Sequence, residues 1–238
     1  MLSVIIPTFN EKGNLAPLCE RIDSALKTIN LPHEIIIVDD NSPDGTAETA
    51  QSMANTYPIK TIKRLDKRGL GSAIIDGITS AQGKIICVMD ADLSHPPEAI
   101  PEMYKIITSG KAQMVIGSRY VKGGGTSEWI WYRKIIGLIA KACGSFLTPV
   151  KDVTSGFFMF DKKIIEGVKL EPRSWKIGLE IIVKSGVTEV IEYPIVFIER
   201  ESGQSKMELK EAIAYLLHLA YLVIHKMKQA IGNREQNT

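Results

Sequence analysis

Residues 85–98 read IICVMDADLSHPPE. An unbroken apolar run ends abruptly on two carboxylates, Asp90 and Asp92, followed by Ser94, His95 and a Pro-Pro pair suited to a helix start. A short apolar run without alternation predicts a strand covered on both faces, as in a parallel sheet. At the end of an extended segment, carboxylates two residues apart point the same way. They repel each other, and a hard divalent cation offsets that repulsion while leaving positions for water or a diphosphate. The plainer alternative is that one carboxylate caps the following turn and the other is solvated.

Outward from this stretch, apolar runs alternate with segments of helical period. Strands are expected at about 2–6, 34–38, 59–63, 85–89 and 114–117, with helices at about 11–29, 45–56, 69–81 and 97–108 between them. This is the pattern of β-α-β units and a mostly parallel α/β sheet. The turn DNSPDGT, residues 40–46, offers Asp44 or Thr46 as a helix cap. After Gly117 the alternation breaks into a glycine-rich loop, an amphipathic helix over 129–150, strands within 155–160 and 189–200, and a long helix over 205–231. Without a linker or internal repeat, a second domain is not expected.

Composition narrows the possible functions. A formal net charge of +2 in 238 residues provides no global field for nucleic acid, so an anionic partner must meet a local basic cluster. The cysteines Cys19, Cys87 and Cys143 are odd in number and far apart, which fits neither a disulfide framework nor a metal knuckle and suits a reducing cytoplasm. The start, MLSVIIPTFNE, has no basic region before its apolar residues and reads as a first strand, not a signal peptide. The run AIAYLLHLAYLVI, residues 212–224, would be about 20 Å long as a helix against a hydrocarbon core of roughly 30 Å, too short to span it.

Dinucleotide and P-loop signatures fail. PTFNE follows the first strand where a glycine loop would be needed, and GLGSAI at 69–74 lacks the third glycine. Ligands of open parallel sheets nevertheless collect beyond the strands' carboxyl ends, where Pro7 to Glu11, Asp39, Asp40, Asp90 and Asp92 all fall. His95 is either a ligand or general base there, or a solvated turn histidine. His218 and His225, seven residues apart, lack the company of a zinc set. Arg119, Arg133, Arg200 and Lys206 come just after strands or in loops, where cations can meet phosphate oxygens.

Taken in order, VIIPTFNE, IVDDNSPDGT, KRGLGSAIIDG, MDADLSHPPE, IGSRYVKGG, VTSGFFMF, IGLEI and RESGQSKM resemble the polyprenyl-phosphate (dolichyl-phosphate) mannose synthases among the family 2 glycosyltransferases. The resemblance runs from about residue 2 to 207 and so implies a catalytic domain over 1–207 with a C-terminal helix in 208–238. It implies the GT-A fold, a Mg²⁺ or Mn²⁺ ion, and inverting transfer of mannose from GDP-mannose to a dolichyl-type phosphate. It places Pro7, Phe9, Glu11, Val38 and Asp40 at the nucleoside and Asp90, Ala91 and Asp92 at the metal and diphosphate. The family often carries glutamine where Ser94 stands as a third potential metal ligand. Arg119 would face the acceptor phosphate or sugar, joined by Arg133, while Arg200 and Lys206 would close over the diphosphate. UDP-glucose as donor, or a non-catalytic nucleotide-sugar-binding subunit, stand as alternatives.

Many relatives continue into transmembrane helices. This sequence resembles the short form, which works at the cytoplasmic face of a membrane, alone or with small membrane-spanning partners. The helices at 129–150 and 212–224 then suit a lipid interface or a partner helix, the alternative being simple packing on the core. For 212–224 the expectation is an exposed hydrophobic role, since helices apolar all round rarely face water.

Overall fold

The computed structural model describes residues 1–66, 69–127, 147–171, 176–198 and 209–235. In chain order the first half contains β1 (Leu2–Thr8), α1 (Lys12–Lys27), β2 (His33–Asp39), α2 (Thr46–Met53), β3 (Ile59–Lys63), α3 (Leu70–Ser80) and β4 (Ile85–Val88). It continues with α4 (Ile100–Thr108), β5 (Met114–Ser118), β6 (Gly125–Thr126), β7 (Phe158–Asp161), α5 (Ile177–Ser185), β8 (Val190–Pro194), β9 (Val196–Phe197) and α6 (Leu209–Glu235). Seven strands form a sheet in the order β3-β2-β1-β4-β7-β5-β8, and β6 pairs with β9 in a small second sheet. All pairings are parallel except those of β7, which runs antiparallel to both β4 and β5.

Period-two alternation in strands covered on both faces explains the apolar runs. Along β1, Val4 and Ile6 face one core cluster with Leu15, Leu18 and Ile22 of α1 and Met103 of α4. Ile5 faces the opposite cluster with Ile74 and Ile78 of α3, Ile181 of α5 and Leu222 of α6. Each such aliphatic side chain contributes roughly 1.5–3 kcal/mol when removed from water. The layers meet closely at Gly77, where a Cβ would lie 2.5 Å from a methyl of Ile5, so only glycine lets α3 approach β1 this far.

The expected strands and helices of the first half are present, but details differ. The N-cap of α2 is Gly45, in the left-handed region at φ +85°, in place of Asp44 or Thr46. Asp44 stands one residue earlier and accepts from the Thr46 backbone N–H and hydroxyl, so it closes the turn from outside the helix. The apolar run at 189–200 is two strands in two sheets. Pro194 ends the ladder with β5, and Ile195 crosses over, donating to Ser118 and accepting from Gly125.

Residues 129–146 of the expected helix 129–150 lie outside the described residues, and 147–150 are irregular. The terminal helix begins at Leu209. Its 212–224 run is not uniformly exposed: Tyr215, Leu219 and Leu222 pack into the core, while Leu217 and Ile224 on the opposite face are 68% and 54% exposed. Among the described residues no helix is long and apolar enough to cross a membrane.

Candidate active site

The parallel strands all deliver their carboxyl ends to one edge. There the loops after β1 and β2 are stitched together. Asp39 is fully buried and accepts from the hydroxyls of Thr8 and Ser42 and from the Ser42 N–H. In return the N–H groups of Asn10, Glu11 and Lys12 donate to Ser42, Thr46 and Asp44. Asn10 and Asn41 turn these loops at positive φ, a conformation asparagine tolerates. The frame bounds a cleft of about 670 Å³ lined by Phe9, Asn41, Ser42, Pro43, Gly45, Glu48 and Lys63.

Of the expected nucleoside residues, Phe9 lines this cleft, whereas Glu11 is not part of its lining and its carboxylate accepts from the Asn14 amide. Pro7 is buried in β1, and Val38 turns its side chain into the core beneath α3. Asp40 faces the start of α3. Its Oδ1 pairs with the buried Arg64 Nε at 2.8 Å and its Oδ2 accepts from Gly69 N–H at 2.7 Å, while Arg64 also reaches Asp76 at 3.3 Å.

Beyond β4 the chain does not stay extended but bends through residues 91–93. β4 ends at Val88, the last ladder-like bond runs from Met89 N–H to Ile5, and Leu93 adopts φ +62°. A leucine in that region is unusual and costs of order 1 kcal/mol or more, which the surrounding bonds must offset. Asp92 is buried, and its Oδ1 accepts from the Ser94 N–H at 3.1 Å and hydroxyl at 2.5 Å. It therefore closes the turn, and Ser94 orients that carboxylate. Asp90 keeps 30% of its side chain exposed and packs against Gly156, where a Cβ would stand 3.0 Å from its Oδ2.

His95 is neither a solvated turn residue nor an outward-facing ligand. It is buried, accepts the Asp90 N–H at Nδ1 over 3.1 Å, stacks on Phe157 at 5.3 Å and meets Phe197 edge-on at 5.5 Å. Burial pushes its pKa down, against the pull of Asp90 and Asp92, so the ring is neutral. Because Nδ1 accepts, the ring proton is assigned to Nε2.

Arg119 follows β5 and is held by Asp152. Its Nε and one terminal nitrogen bond the two carboxylate oxygens at 2.8 and 2.7 Å, the same nitrogen reaches the Thr154 hydroxyl at 2.8 Å, and the Arg119 N–H completes the set. The guanidinium lies 5.5 Å from the ring centres of both Tyr120 and Phe197. Burial alone would raise the Asp152 carboxyl, but the bonds and charge of Arg119 outweigh it and hold the carboxyl below its ordinary range. Glu192 of β8 buttresses the pair, accepting from Ser118 Oγ and from the N–H groups of Lys151 and Asp152. Phe197 thus meets His95 on one side and the Arg119 guanidinium on another, so the carboxylate turn and the arginine share one site.

Arg133, Arg200 and Lys206 lie outside the described residues. Sequence reasoning did not single out Arg64, Asp152, Thr154, Lys176 or Glu192. The available signal was slight: Asp152 directly precedes the quoted VTSGFFMF, and Lys176 precedes IGLEI. Among the described residues no three His, Cys, Asp or Glu converge into an all-protein metal cage. Two carboxylates at a strand end, one of them facing solvent, instead fit a Mg²⁺-like ion that takes one or two carboxylates and completes its shell from water and phosphates.

Comparison with known proteins identifies the family and the fold. The sequence model of the family described as Glycosyl transferase family 2 matches residues 3–168. The dolichol-phosphate mannosyltransferase of Pyrococcus furiosus is 46% identical over 226 residues, covering 93% of this chain, which spans 63% of that relative's length. The Saccharomyces cerevisiae protein of the same name is 34% identical over 94% of this chain and 87% of its own. Among solved structures, a mannosyltransferase from Pyrobaculum calidifontis in complex with GDP-Man and Mn²⁺ superposes with a TM-score of 0.60 at 20% identity, covering 86% of this chain and 58% of that one. Glucosyl-3-phosphoglycerate synthase of Mycobacterium tuberculosis gives 0.68 at 17% identity, covering 95% and 80%. The helix-flanked, mostly parallel sheet is the GT-A fold, and the chain belongs to glycosyl transferase family 2.

Proposed function

We propose that this chain transfers mannose from GDP-mannose, with inversion, to a polyprenyl phosphate of the dolichyl type. The observation that carries this is the meeting of the Asp90–Asp92 turn with the Arg119–Asp152 pair around His95, in a chain 46% identical to a dolichol-phosphate mannosyltransferase. Phe9 in the cleft, with Glu11 on the same loop and Pro7, Val38 and Asp40, would take the nucleoside. Asp90, Ala91 and Asp92 would take the diphosphate end, with Ser94 orienting Asp92. A Mg²⁺ or Mn²⁺ ion held by Asp90 and Asp92 would supply Lewis acidity toward the leaving diphosphate.

The chain's own groups do the rest. Arg119, fixed by Asp152, presents preorganised positive charge where the acceptor phosphate approaches, with Arg133 assigned to the same phosphate and Arg200 and Lys206 to the diphosphate. A phosphate monoester is largely ionised at neutral pH, so the nucleophile needs no strong base. A neutral, buried His95 agrees with that economy. Residues 1–207 would form the catalytic unit, with α6 in 208–238 applying its outer apolar face to the cytoplasmic surface of a membrane or to a small membrane-spanning partner.

Radiolabelled transfer to a short polyprenyl phosphate, with Mn²⁺ and no added partner, tests this. Wild type is expected to use GDP-mannose in preference to UDP-glucose, and Asp92→Ala to lose transfer. Preference for UDP-glucose, or undiminished activity in Asp92→Ala, overturns the assignment.

A further inference from the structure

His95 is placed as more than core filling. Its ring is sealed from water between Phe157 and Phe197, a position that a phenylalanine or leucine could fill without desolvating a polar ring. Nδ1 takes the N–H of Asp90, the second residue beyond the end of β4. Leaving that N–H unpaired in a half-buried turn would cost about 1–3 kcal/mol. The imidazole's other nitrogen stands 3.9 Å from Asp90 Oδ2, too far for a hydrogen bond but close enough for its N–H to favour the carboxylate electrostatically. On another side Gly156 leaves that carboxylate just enough room. Backbone and side chain of Asp90 are thus both constrained by one ring.

The ring is itself positioned from across the site. Phe197, against which it packs, lies beneath Arg119, and the Ser94 carbonyl accepts the Ile198 N–H at 3.1 Å, so β9 is tied to the same turn. The groups whose charges reach His95 are Asp90, Asp92, Arg119 and Asp152. Resting on the assignment of Asp90 and Asp92 to the metal and diphosphate, we infer that His95 is a positioning residue of the donor site: it sets the direction of Asp90 through the Asp90 N–H and so tunes divalent-metal affinity. It exchanges no proton with substrate.

The test compares full-length wild type, His95→Phe and His95→Asn. His95→Phe keeps the stacking and loses the acceptor, whereas His95→Asn returns a carbonyl oxygen to about the place of Nδ1. Mn²⁺ binding in the presence of GDP is titrated by electron paramagnetic resonance, and kcat, KM and thermal melting are measured alongside. The expected result is a Mn²⁺ affinity about tenfold or more weaker in His95→Phe, as for lost partners of metal ligands, and within about threefold of wild type in His95→Asn. His95→Phe binding Mn²⁺ as tightly as wild type, or His95→Asn as weakly as His95→Phe, overturns the inference. If His95→Phe does not fold, His95→Gln replaces it, since its acceptor stands near Nε2 and withdraws the bond to Asp90; unchanged affinity there overturns the inference equally. Wild type that binds no Mn²⁺ with GDP overturns the donor-site assignment first and this inference with it.

Discussion

Arg119 and Asp152 are nearly sealed from water, their side chains 9% and 0% exposed. Removing one partner from such a pair leaves a buried charge alone, at a cost of about 3–5 kcal/mol. Asp152→Ala is therefore expected to lower the unfolding free energy read from urea denaturation by about that amount and, by releasing Arg119, to weaken the proposed mannose transfer as well. The pH dependence has a definite sign. The folded Asp152 carboxyl is held below its unfolded value, so its contribution is fully present above about pH 4 and is lost as pH falls through the lower folded value. Acid unfolding of Asp152→Asn should be correspondingly less steep across that window. At this scale the sequence was legible in position, since Asp90 and Asp92 do stand just beyond the end of β4. It was silent where a residue acts through a distant partner: nothing local to Asp152 announces Arg119, 33 positions away. His95 was visible as a polar residue in an odd place, but the aromatic rings that bury it come from Phe157 and Phe197, which only the fold brings near.

Helices and strands were the most readable level in the first half, because period and punctuation agree there. The 189–200 run misled because two short strands joined through Pro194 and Ile195 have the composition of one long strand. Two predictions belong to elements. Gly77→Ala should cost about 1–3 kcal/mol in chemical denaturation, since the new methyl meets Ile5 and Val38 and α3 must lift from β1. The second concerns α6, which docks on α5 through buried Glu180. That carboxylate accepts from Lys184, pairs with His218 and accepts the Glu171 N–H. Burial opposes its ionisation, but these partners prevail and hold its pKa down. The docking is thus strongest above about pH 4.3 and weakens as pH falls through the folded value. Hydrogen exchange should show amides of 215–228 losing protection under acid before those of β1. Glu180→Ala should reproduce that loss at neutral pH.

For the molecule as a whole, the two thiols inside one core cluster report on global integrity. Burial pushes Cys19 up to about 12 and Cys87 higher still, so neither is a thiolate near neutrality. In a Cys143→Ser variant, reaction with a thiol reagent should proceed at the rate set by global opening and accelerate with urea along the unfolding curve. Fast reaction in the native protein would show that this core opens locally. The α/β class was readable from the alternation of elements, whereas the place of β7 was not, because strand direction is decided by long-range pairing and leaves no mark on a four-residue run.

That reversed strand makes the site unequal in its tolerance of length change. The other loops at this edge leave their strands, and an added residue there can bulge into solvent. The run from Asp152 to Phe157 instead enters β7, fastened by Asp152 to Arg119, by Ser155 to Gly117 and by Gly156 against Asp90. One inserted residue would shift Phe157 and Phe158 to opposite faces of the sheet or tear the segment from its anchors. Among chains of this architecture, insertions and deletions should accumulate after the strands and be nearly absent from this entrance to β7.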